Sequence, residues 1–210
     1  MNKTAADYSF RYSGAMDNAM QSLPIGNGDI GANVWVDTAG KVHLLLSKSD
    51  AWSELYRLLK PAHVVLDIEP CPFADGADFE LSIANGVLTI GRNGACLRIY
   101  MDAFAPCLRL SLRTESPVKA RLALDNYRKT AFDPADDDSN YFMCGARYDI
   151  AESADQVFMT EAGGVAQIHR NEESCYEFAL RHQDMAAYIG READPLLGRT
   201  FGAGLYSPDM

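Results

Sequence analysis

From Ile30 onward the chain alternates apolar and polar residues in short bursts, each ended by Gly, Pro, Asn or Asp. Ile30–Val36 and Val42–Ser47 flank a Thr38-Ala39-Gly40 turn, and His63–Ile68 runs up to Pro70. Phe79–Ile83 and Val87–Ile90 flank Asn85-Gly86. A period of two sends successive side chains to opposite faces, which is the pattern of a half-buried strand. Asn-Gly between two such runs predicts a hairpin, because it supplies positive φ values. Arg92-Asn93-Gly94 predicts a further turn before Cys96–Met101. Leu108–Leu112, Val118–Leu124, Gln156–Thr160 and Val165–His169 continue the series, the last two around Gly163-Gly164. Strands at this spacing predict an all-β sandwich or barrel. Helical pattern is confined to one or two turns in Ser53–Leu59 and to part of Tyr176–Ile189. Without strands alternating with long helices, a parallel α/β sheet is excluded. The expected organisation is an extension over residues 1–22 followed by one domain over 23–210.

Composition adds limits. The 210 residues are 48% hydrophobic and 23% charged, enough to bury a core without staples. A net charge of −10 argues against nucleic acid and against an anionic membrane as partners. Five cysteines, with no CxxC and no zinc spacing, read as free thiols in a reducing compartment, which favours the cytoplasm. The first residues carry no apolar signal core, and no run is long enough to cross a membrane as a helix. Asp133–Asn140 reads as a solvated acidic loop; a calcium loop is the rival reading, although the spacing is not that of an EF-hand. No cofactor and no resident metal are expected.

Four stretches hold candidate chemistry. Gly26-Asn27-Gly28-Asp29-Ile30-Gly31 matches GxGxxG, but a β pattern follows it where a dinucleotide site needs a helix. It reads as a tight turn feeding a core strand. Ser47–Glu54 places Trp52 beside Asp50 at a strand end; an indole face and a carboxylate suit a sugar, and a Trp plug with Asp50 as a cap is the structural alternative. His169-Arg170-Asn171-Glu172-Glu173-Ser174 packs polar side chains after an apolar strand, either as a site or as a salt-bridged turn around a core histidine. Asp194–Gly202 reads as a turn and a final strand. The pairs Asp67/Glu69 and Asp78/Glu80 read as solvated decoration of one strand face rather than a glycosidase pair. No nucleophile elbow, HExxH or P-loop is present.

Taken together these stretches resemble a known group. Leu23-Pro24-Ile25-Gly26-Asn27-Gly28-Asp29-Ile30-Gly31-Ala32 resembles the PLGNGxLGA opening of fucosidase-like glycoside hydrolases, and Ser49-Asp50-Ala51-Trp52-Ser53 falls where those enzymes carry an Asp-Thr-Leu-Trp-Ser loop. The run through Arg57–Lys60, His169–Glu172 and Asp194–Gly202 is similar to a bacterial domain of unknown function at the head of glycosidase-like chains. The resemblance implies a galactose-mutarotase-like supersandwich. It also implies a catalytic (α/α)6 barrel C-terminal to the sandwich, as in fucosidases and maltose phosphorylases. Nothing in these 210 residues reads as that barrel, so no catalytic residue carries over. Asp50, Trp52, His169, Arg170 and Asn171 are the residues expected to line a sugar site. Three functions stay open. The first is a non-catalytic carbohydrate-associated domain partnered by the barrel. The second is a stand-alone mutarotase-like epimerase using His169 and a nearby carboxylate. The third is an assembly module that self-associates through its sheet faces.

Overall fold

The structure is a computed structural model that describes residues 4–126, 128–132 and 150–207. The acidic stretch 133–140 and Cys144 lie outside the described residues. The chain forms two compact units, the first from residues 1–49 and 63–125, the second from 50–62 and 126–210.

The first unit holds two five-stranded antiparallel sheets. One runs in the order β1 (Phe10–Gly14), β6 (Ala77–Ser82), β7 (Val87–Arg92), β8 (Ala95–Met101), β9 (Leu108–Thr114). The other runs β10 (Lys119–Leu124), β5 (Ala62–Glu69), β4 (Val42–Lys48), β3 (Ile30–Val36), β2 (Leu23–Gly26). Alternation explains the core. In β5, Val64, Leu66 and Ile68 are buried while His63, Val65 and Asp67 face outward; in β8, Leu97 and Ile99 are buried while Arg98 and Tyr100 are not. Each fully buried aliphatic side chain contributes about 1.5–3 kcal/mol, so the register is tightly specified: a one-residue slip would turn a whole stripe to water.

The second unit holds a three-stranded antiparallel sheet, β11 (Gln156–Met159), β12 (Val165–Arg170) and β13 (Thr200–Leu205). It also carries a short helix, α1 (Tyr176–His182), and a 3-10 turn at Ala186–Tyr188. Small apolar clusters pack it: Leu55 with Cys175 and Leu196, and Ala51 with Leu59 and Phe201.

The mostly-β antiparallel expectation holds, and several details change. Within residues 1–22, Phe10–Gly14 forms a strand that pairs along β6. Leu23–Gly26, read as the approach to a glycine turn, is itself a strand paired with β3. Ser53–Leu59 is not helical: it is a turn closed by a Trp52–Leu58 bridge. Of the three Asn-Gly pairs, only Asn93-Gly94 has positive φ at both residues; at Asn27-Gly28 and Asn85-Gly86 the glycine alone does. The carboxylates Asp78, Glu80 and Asp67 sit on outer faces and pair with Ser13, Arg11 and Lys41. Among the described residues, Cys71, Cys96, Cys107 and Cys175 form no disulfide.

Candidate functional site

In the second unit, three of the stretches singled out in the sequence meet around a buried charged network. β12 places Gln167 and His169 at alternate positions, so both turn to one side; both are buried, as is Asn171 just past the end of the strand. His169 is the centre. Its Nδ1–H donates to Asp155 Oδ1 at 2.9 Å and its Nε2–H donates to Glu54 Oε2 at 3.1 Å. The imidazole is 1% exposed and also lies against the Phe201 ring, with centroids 5.1 Å apart.

Each carboxylate has further donors. Glu54 Oε1 accepts the Ser153 amide at 3.0 Å and the Ser153 hydroxyl at 2.6 Å. Asp155 accepts from Arg128 Nε at 2.9 Å and from the Gln167 side-chain amide, and it is ion-paired with the Arg128 terminal nitrogen at 2.6 Å. A third carboxyl, Glu152, accepts from the Ser53 hydroxyl at 2.5 Å and lies 3.5 Å from Arg57, whose guanidinium covers the Phe132 ring.

Burial alone would lower the His169 pKa, but the bonds to Asp155 and Glu54 outweigh it and lift the imidazole from 6.5 to about 9. Burial alone would raise Glu54 and Asp155; the His169 bond, with Ser153 at Glu54 and Arg128 at Asp155, holds both below the ordinary carboxylate range. Glu152 goes the other way. Its burial outweighs the Ser53 bond and the Arg57 charge, and its pKa is raised. The network at neutral pH is therefore an imidazolium clamped between two carboxylates. With both ring nitrogens donating, His169 has no free lone pair with which to act as a base.

This buried network fixes the loop above it. The Glu54 carbonyl accepts the Cys175 amide, and the Asn171 amide group reaches the carbonyls of Trp52 and Leu196. Arg199 donates to the carbonyls of Asp50 and Pro195. The five expected residues thus occupy two levels. His169 and Asn171 are buried supports. Asp50 and Arg170 are exposed, and Trp52 is half-buried, one side packed on the Leu55–Cys175–Leu196 cluster. Glu152, Asp155, Gln167 and Arg128 were not singled out from sequence, and Glu54 closed the Ser47–Glu54 stretch without being given a role. Among the described residues no group of His, Cys, Asp and Glu is arranged to hold a metal ion.

The sequence pattern of one family, described as a domain of unknown function (DUF5703), matches residues 11–210 as its N-terminal part. The chain is a DUF5703 N-terminal domain. That match covers both units, and with them every residue of the His169 network. It attaches no activity to the DUF5703 domain and no tie to glycoside hydrolases. A search of curated proteins returns no match.

Proposed function

We propose that this DUF5703 N-terminal domain is a non-catalytic, carbohydrate-associated module whose 50–58 loop faces the sugar. The observation that carries the reading is the loop's construction. Its two ends are tied by the Trp52–Leu58 bridge, and Glu54 anchors it from below into a buried ion network. Asp50 is exposed and Trp52 is half-buried. A rigid loop that shows an aromatic face and a carboxylate is suited to a polyol, because little ordering entropy remains to be lost on binding. The exposed apolar residues Val157, Phe158 and Met159 on strand β11 are the kind of surface such a module would offer to a companion catalytic domain.

The mutarotase alternative needs a free base, and His169 at 1% exposure with both nitrogens donating is ill suited to that role. The test is a thermal-shift and calorimetric titration of the protein with a panel of mono- and oligosaccharides, repeated on Trp52→Ala and Trp52→Phe. The expected result is a rise in melting temperature with at least one sugar, retained by the Phe variant and lost in the Ala variant. No response to any sugar, or an equal response in the folded Ala variant, would remove the loop from the proposal.

A further inference from the structure

On the outer face of the second sheet of the first unit, four side chains form a line across neighbouring strands. Asp37 Oδ1 accepts the amides of Ala39 and Lys41, each at 2.9 Å, and its Oδ2 lies 3.0 Å from His43 Nε2. His43 Nδ1 lies 3.0 Å from His63 Nε2, and His63 Nδ1 lies 3.1 Å from Asp125 Oδ2. The imidazoles are within 17° of coplanar with centroids 5.2 Å apart, so the nitrogen–nitrogen link runs in the plane of both rings. Trp35 stacks against the pair, at 4.7 Å from His43 and 5.6 Å from His63.

Proton counting constrains this line. It has three links, and each requires one proton. Two ionised carboxylates only accept, so the protons sit on the four ring nitrogens. Two neutral imidazoles bring two protons and leave one link as facing lone pairs. Two imidazolium rings bring four and set two N–H groups head to head. Three protons alone satisfy every link, with one positive charge spread over the pair. That charge would lie between two carboxylates and against an indole face, both of which favour a cation.

We propose that Asp37, His43, His63 and Asp125 form a proton-gated clasp, fully closed only while the two imidazoles share three ring protons. The other charged groups on this face, among the described residues, are Lys41 in the β3–β4 turn, Asp67 and Glu69 on β5, and Lys119 and Arg121 opposite them on β10. Lys41 pairs with Asp67 at 3.2 Å, and Arg121 stands opposite Asp67 in the β10–β5 register. On β3, Asn33 and Trp35 are uncharged. The clasp ties the β3–β4 turn, β4 and β5 to Asp125, the last residue of the first unit. Acid adds a fourth proton and opens the central link; base removes the third and opens one of the three.

The test is long-range proton–nitrogen NMR on the full chain labelled with 15N-histidine, with His43→Asn and His63→Asn used for assignment. Wherever the central N–H···N signal is present, three of the pair's four ring nitrogens should be protonated; a count of two there, or no such signal at any pH, would overturn the proposal. Asp125→Ala removes a side chain that is 57% exposed, so the fold should survive it. This variant should lower the count from three to two, and a count that stays at three would overturn the proposal. In the unaltered protein the central N–H···N signal should vanish on acidification before the protein unfolds, and its persistence to the unfolding pH would overturn the gating.

Discussion

Replacing His169 by glutamine removes the imidazolium between Glu54 and Asp155 while leaving a side chain of similar reach that can still donate one hydrogen bond. Two estimates of the cost agree. Breaking a buried ion pair by deleting one partner typically costs about 3–5 kcal/mol, because a charge is left buried and unpaired. Independently, a histidine pKa lifted from 6.5 to about 9 corresponds to about 3 kcal/mol of extra stability for the charged form. Because the folded-state value is the higher one, this contribution is complete below the unfolded value and disappears as pH rises through the folded value. The gap between wild type and His169→Gln should thus be larger at pH 6 than at pH 9.5 by about 3 kcal/mol, with about 1.4 kcal/mol of that excess left at pH 8. Urea denaturation of both proteins at half-unit steps from pH 6 to 9.5 measures it directly. A gap that stays constant across that range would refute the buried imidazolium, whatever its size.

The carboxyls around the network should respond unequally: Glu54→Gln is expected to cost clearly more than Glu152→Gln at pH 7, because Glu54 is held ionised by its donors whereas burial already biases Glu152 towards the acid form that glutamine mimics. Equal losses in denaturant melts would contradict that division. Gly202→Ala should destabilise by more than about 2 kcal/mol, since its methyl would sit 2.1 Å from the Gln167 carbonyl oxygen on the neighbouring strand. Gly28→Ala, with φ of +98° but open space around it, should cost only about 1 kcal/mol of backbone strain. Melting temperatures of the two variants side by side test whether contact or conformation sets the penalty.

The strands were legible because alternation and turn chemistry act locally: β3 to β9 follow the sequence pattern within a residue or two at most ends. β1 was not, since Phe10-Arg11-Tyr12-Ser13-Gly14 is an edge strand with four of its five residues exposed, and burial is what writes an alternating pattern. The candidate site was half legible. Trp52, His169, Asn171 and Arg199 lie in stretches that drew attention by their polar and aromatic content, and those stretches do come together. Asp155 and Glu152 precede a weak strand with no local pattern, and nothing nearby marks them as partners of a histidine. One signal was present in the sequence: Gln167 and His169 alternate along an otherwise apolar strand and Asn171 follows at the same spacing, the mark of a buried polar network rather than a solvent face.

The second unit is assembled from two stretches of chain that lie far apart, 50–62 and 126–210. Its central bonds, Glu54 to Ser153 and Glu54 to His169, span 99 and 115 residues. During synthesis the 50–62 segment emerges long before its partners, and it has to wait while the strands on either side of it pair. Closing so long a loop is entropically slow, and the contacts that reward closure arrive only at the end. The buried ion network is therefore expected to be among the last parts of the protein to form. For the same reason no single cut in the chain frees the second unit: any truncation that keeps residues 126–210 alone discards Glu54 and leaves His169 with half of its anionic cradle.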